Sequence, residues 1–259
     1  VEDSAVISLY EFQGSVFNRV ANDTVINGKF SFTLTDSTGM EKPMVIMSDT
    51  EGFPPTWLDI WVKSGETVKI TGKDKMLRTW NVKSNIPQQK ESNLYVDRTR
   101  DDQHQTQLLV MEMYALRDSI RKSPDKEKEY NTRGDSLNTL YGSLNLRIQE
   151  TELSVLDENK TYSDIWMDKL ERQAMQLRYS EVPEATVAKM QALYDSMPED
   201  KKKSRPGESI YLSLNLPKPV GIGDNVADAD MWDLNGNLQR LENFKGKYML
   251  LDFWSSGCG

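Results

Sequence analysis

The chain has 259 residues, 37% of them apolar and 28% charged, with a net charge of −8; this is globular composition, with enough apolar material for a sizeable core. The acid excess and the lack of a basic stripe exclude a surface that tracks nucleic-acid phosphates, because such a surface needs clustered Lys and Arg. No stretch approaches the run of about eighteen apolar residues that a membrane helix requires.

The chain opens at Val1, just ahead of strand-like sequence from Ala5 to Tyr10, which leads us to expect residues removed ahead of it. Residues 1–90 read as β. Alternating runs recur as VISLYEF, TVINGKFSFTL with the turn pair Asn27-Gly28, MVIM, WLDIWV, and TVKITG after Ser64-Gly65. Phe30, Phe32 and Leu34 alternate with Ser31 and Thr33, and Leu58, Ile60 and Val62 alternate with Trp57, Asp59 and Trp61. Half-buried strands of a small antiparallel β-sandwich follow, with Thr79 to Val82 as a last edge strand. Trp57, Trp61 and Trp80 admit two readings, an aromatic platform for a sugar or peptide, or rings in the core and under the next layer; the second is the simpler.

Over residues 91–205 the period becomes helical. Leu109, Met113, Leu116 and Ile120 form one stripe, Leu137, Tyr141, Leu144, Ile148 and Val155 a second, Trp166, Leu170, Ala174 and Leu177 a third, and Val187, Met190, Tyr194 and Met197 a fourth. Pro124 and Pro183 stand where a first helical turn accepts proline. Lys201-Lys202-Lys203 behind Glu199-Asp200 reads as a solvated helix end. Residues 206–222, with Pro217, Pro219 and Gly221, read as a linker. Beyond it, Asn235-Gly236 signals a hairpin, Leu241 to Phe244 a turn of helix, and YMLLDFW a strand buried on both faces. The fold class expected is therefore α+β.

Several constellations lead away from chemistry. His104 is the one histidine, so a serine-hydrolase triad or a His-rich metal centre is not expected, and its polar surroundings place it at the surface. Asp233, Asn235, Gly236 and Glu242 fall at positions of a calcium loop, but Met231 holds the first ligand position, and the hairpin reading is preferred. Carboxylates are abundant, with nothing to single out an acid/base pair.

The last stretch, FKGKYMLLDFWSSGCG, runs an apolar strand into a Gly-flanked cysteine, at the sheet end where α/β folds hold their active sites. Phe253-Trp254, then Ser255-Ser256-Gly257, then Cys258-Gly259 resemble the thioredoxin-like family near the periplasmic thiol-disulfide reductases and the alkyl hydroperoxide reductase/thiol-specific antioxidant group, whose motif continues Cys-Gly-Pro-Cys. The upstream GIGDNVADADMWDLNGNLQRLENFKGK resembles that family's opening, with Gly223-Asp224 starting the domain. The β segment, with NDTVINGKFSFTL and WLDIWVKSGETVKITG, resembles an uncharacterised β-domain carried ahead of such domains in secreted proteins of Gram-negative anaerobes.

The resemblance implies that residues 223–259 are the start of a thioredoxin-like domain and that Cys258 is its nucleophile, supported by Phe253, Trp254, Gly257 and Gly259. It implies client protein thiols or disulfides and a redox partner as partners, no cofactor, no metal and no nucleic acid. A periplasmic or outer-surface location in a Gram-negative bacterium follows, with a lipid anchor upstream of Val1 compatible with it. The resolving cysteine, the helix that would lower the thiol's pKa, and the cis-proline loop would all lie past Gly259, so the 259 residues are expected to be inactive. Gly257 stands where thioredoxin itself has tryptophan, which changes the substrate contact there. The strand 248–254 without partners would dock on the helical layer or pair with a second copy. Two other functions stay open: a non-catalytic envelope binding module, and a thiol peroxidase.

Overall fold

A computed structural model describes residues 3–13, 16–35, 38–123, 126–216, 221–225, 228–252 and 254. The fold is mixed α and β with antiparallel sheets, and the chain divides into two units, Val1–Leu214 and Asn215–Gly259.

In the first unit, β1 (Val6–Gln13), β2 (Val16–Thr24), β3 (Lys42–Met47) and β4 (Leu58–Val62) form an antiparallel sheet in the order β2-β1-β3-β4. Register and alternation divide its side chains. Leu9 faces Ile46, which faces Leu58, and this row is buried. One residue on, Arg19, Tyr10, Val45 and Asp59 stand in register across the sheet and belong to its other face. A two-stranded ribbon, β5 (Lys69–Thr71) with β6 (Asn81–Lys83), closes the buried face. Its Val82, with Leu77 and Trp80 from the intervening 3-10 turn, shares one apolar core with Ile7, Leu9, Ile46 and Leu58.

The Asn27-Gly28 turn forms as expected, both residues holding positive φ (51° and 68°) and Ile26 bridging Lys29. The strand expected beyond it does not. Residues 30–35 pair with no strand; Phe30 and Phe32 pack into the core, and the Ser31 N–H is held by Asp23 Oδ2 at 2.7 Å, a side chain standing in for a ladder carbonyl.

The helical part begins with α1 (Pro87–Lys122) and α2 (Glu127–Glu158). Glu112 pairs with Arg133 and Asp102 with Arg147, so the two run antiparallel, and at 1.5 Å per residue α1 is about 54 Å long. Leu109, Leu137 and Leu144 zip their outer half. Helices α3 (Asp164–Met175), α4 (Glu184–Asp195), α5 (Glu199–Lys202) and α6 (Arg205–Leu214) close on the inner half around Trp166, Leu170, Met190, Leu193 and Ile210. Trp166 also donates its indole N–H to the Leu156 carbonyl at 2.9 Å, so neither its ring nor its polar atom is left unsatisfied. Ser163 caps α3 by accepting the Trp166 N–H at 3.1 Å. Residues 206–214, the first part of the stretch read as linker from its sequence, belong to helix α6. Pro206 sits in the first turn, where its missing N–H costs nothing, and Ile210 and Ser213 are buried.

Helix α1 joins the helical part to the sheet with side-chain amides. Gln89 Oε1 accepts the Trp61 N–H at 2.8 Å, Asn93 Nδ2 donates to the Val82 carbonyl at 2.8 Å, and Gln107 Oε1 accepts the Arg78 N–H at 3.1 Å. Of these, the Gln89 bond covers edge strand β4 at Trp61.

In the second unit, β7 (Met231–Trp232) and β8 (Leu238–Gln239) form a hairpin followed by a 3-10 turn at Leu241–Phe244. No described residue of this unit is buried. Tyr248 to Asp252, expected as a buried strand, form no strand, and Tyr248 and Leu250 are fully exposed. An apolar run becomes a strand only where neighbours take up its amides, and among the described residues β7 and β8 pair with each other alone.

Candidate functional site

Of the residues that the sequence singles out for chemistry, Phe253, Gly257, Cys258 and Gly259 lie outside the described residues. Trp254 is described, and it is 74% exposed. Upstream, Asp233 organises the hairpin turn: its Oδ1 accepts the N–H groups of Asn235 and Asn237, each at 2.9 Å. The Asn237 backbone and side-chain donors hold its carboxyl below the usual aspartate range. That carboxylate, at the third position of the calcium-loop pattern, is thus spent on the turn. Among the described residues no group of three or more metal-ligating side chains comes together.

The first unit carries two surfaces that the sequence did not disclose. One is a cleft of about 310 Å³ between the β5–β6 ribbon and α1, lined among others by Gly72, Asp74, Trp80, Arg100 and His104. His104 Nε2 meets Asp74 Oδ2 at 2.9 Å, and Asp74 Oδ1 accepts the Met76 N–H at 2.8 Å. Partial burial raises the Asp74 pKa, but hydrogen bonds from His104 and Met76 outweigh it and the carboxyl ends below its usual value. Trp80 forms the floor and donates its indole N–H to the Asp74 carbonyl at 2.9 Å. Arg100 spans the cleft wall, bound to the Thr79 carbonyl and to Asp97. Sequence spacing gave no sign of this pairing because its partners stand thirty residues apart on a loop and a helix.

The other surface is the sheet face that carries Tyr10 and Asp59. Phe17 lies at its centre, 4.8 Å from Phe12, 5.6 Å from Trp57 and 6.4 Å from Tyr10 between ring centroids. Trp57 donates its indole N–H to Asp59 Oδ1 at 3.1 Å, and the Arg78 guanidinium lies 5.8 Å from its ring. Solvent reaches Asp59, yet the crowding around its carboxyl removes enough water to push its pKa up, against the pull of Lys169, Arg172 and Arg78. Of the three tryptophans weighed as a platform, Trp80 is core and Trp61 packs against the helical core with its indole N–H 3.2 Å from Ser92 Oγ. Trp57 alone joins the partly exposed aromatic group.

No family model matches the chain, and neither a curated protein nor a solved structure matches it. No described helix is long and apolar enough to cross a membrane.

Proposed function

We propose that this protein is a thiol-disulfide oxidoreductase of the thioredoxin-like class, acting on client proteins in the periplasm or at the outer surface of a Gram-negative bacterium. The observation that carries the reading is the run from Gly223 to Gly259, in which a domain-opening hairpin leads through Phe253-Trp254 to Cys258-Gly259. Residues 223–259 are on this reading the first part of a thioredoxin-like domain. The β7–β8 hairpin and the 3-10 turn at Leu241–Phe244 are compatible with that opening.

In the proposed chemistry the Cys258 thiolate attacks one sulfur of a client disulfide. That S–S bond breaks, a mixed disulfide forms, and the other client sulfur leaves as a thiolate. A second thiol must then attack the mixed disulfide to release the reduced client and become oxidised with Cys258. These 259 residues hold one cysteine, so the second thiol comes from elsewhere, by the family pattern three positions after Cys258.

The intact mass of source-purified protein tests this. A species extended past Gly259 with Pro-Cys, reducing insulin disulfides in a manner abolished by Cys258→Ser, is the expected result. A mass that ends at Gly259 removes dithiol exchange. Peroxide consumption dependent on Cys258, without disulfide reduction, would replace it by a thiol peroxidase. The two surfaces of the first unit favour a second reading, a binding module whose affinity for its partner survives Cys258→Ser.

A further inference from the structure

The cleft between the β5–β6 ribbon and α1 holds about 310 Å³, at the small end of ligand sites. Its two walls are tied to each other. Asp74, in the loop after β5, bonds His104 of α1, and Arg100 of α1 bonds the Thr79 carbonyl. The floor is tied as well, with the Trp80 indole N–H on the Asp74 carbonyl. A site whose walls are set before a ligand arrives loses little affinity to ordering itself.

The charges on these walls are of two kinds. Arg100 is answered by Asp97, and Asp74 by His104 and the Met76 N–H. Lys73 on the ribbon side and Asp101 on α1 line the same cleft and are exposed, and neither makes a hydrogen bond or an ion pair among the described residues. One cation and one anion, one on each wall, are thus left to solvent. Thr71 and Asn81 also line the cleft, as a cross-strand pair of β5 and β6. Their side chains, too, are without a bond among the described residues.

This pattern selects among ligands. A molecule that covers the cleft strips water from both charges, which is costly wherever a charge then lacks a partner. A cation would answer Asp101 and meet Lys73, an anion would do the reverse, and an uncharged molecule would leave both without a counter-charge. A molecule with one charge of each sign answers both. The Thr71 hydroxyl and the Asn81 amide each donate and accept, which suits a peptide group lying between the two charged ends.

We infer that the cleft binds a zwitterionic short peptide of dipeptide size by its own termini, the ammonium at Asp101 and the carboxylate at Lys73, with Thr71 and Asn81 on the peptide group. This gives a ligand class to the binding reading of the first unit and is independent of the chemistry proposed for Cys258.

The chain's one histidine lies in this cleft, so the imidazole C–H signal of His104 reports binding by NMR without an assignment. The test titrates the full chain with glycylglycine near neutral pH. A saturable shift with a Kd of about 1 mM is expected, as for a small ligand held by exposed charges. N-acetylglycylglycine and glycylglycinamide, each short of one charge, should bind about fivefold more weakly. Asp101→Asn should abolish the difference between glycylglycine and its acetylated form, and Lys73→Gln the difference between glycylglycine and its amide. Both side chains are exposed and without bonds, so neither substitution disturbs the fold. No shift at ten times the expected Kd overturns the inference. Equal binding of the capped forms, or charge preferences that survive the two substitutions, overturns it too. An unchanged titration in Cys258→Ser is expected, so failure here and failure of the thiol reading are separate results.

Discussion

At the scale of single residues, Asp74 does three jobs. Its two carboxylate oxygens hold His104 and the Met76 amide, and its carbonyl holds the Trp80 indole. Its folded pKa lies below the ordinary aspartate value of 3.8, so its ionised form is favoured by folding. That stabilisation is present above the unfolded value and is lost as pH falls through the folded one. Thermal unfolding followed from pH 6 downward should therefore show wild type losing more stability below about pH 4 than Asp74→Asn; parallel curves would contradict the assignment. Gly72 has a different constraint. A Cβ there would lie 2.2 Å from Trp80 Cε2, and that ring is buried and pinned by its hydrogen bond. Gly72→Ala should cost about 1–3 kcal/mol of stability in urea unfolding. Neither role was legible beforehand, because each depends on an approach between distant segments. His104 was legible only as an isolated surface histidine.

At the scale of elements, packing by burial was easier to read than packing by amides. Leu109, Leu137, Trp166 and Met190, one from each stripe, lie in the cores of the helical part, since a 3.6-residue period records which face meets a neighbour. Gln89, Asn93 and Gln107 look like ordinary solvent-facing helix residues in sequence, yet they make the joint with the sheet. Gln89 is 1% exposed. Gln89→Leu keeps volume and removes the acceptor of the Trp61 N–H, which should cost about 1–3 kcal/mol in denaturant unfolding; an unchanged midpoint would mean that water replaces the side chain. The misreadings have a common cause. Phe30 and Phe32 alternate because they dip into the core from a loop, and the apolar run from Tyr248 to Asp252 has no strand neighbours among the described residues, so neither pattern has the ladder that makes a strand.

At the scale of the whole molecule, the two units differ in kind. Val1–Leu214 holds every core cluster, whereas Asn215–Gly259 buries none of its described residues. Local opening should then be easiest in the second unit. Brief trypsin treatment, followed by mass spectrometry, should find Lys245 and Lys247 cut before any lysine of α3 or α4; early cleavage within those helices would be the contrary result. Within the first unit, the amide joint also sets an order of events on the ribosome. Trp61 receives its acceptor from a residue 28 positions later, and Arg78 from one 29 positions later. At about 5–20 residues per second the sheet edge waits on the order of seconds for its cover. For that interval a nascent chain carries the β4 edge at Trp61 without the acceptor that later covers it.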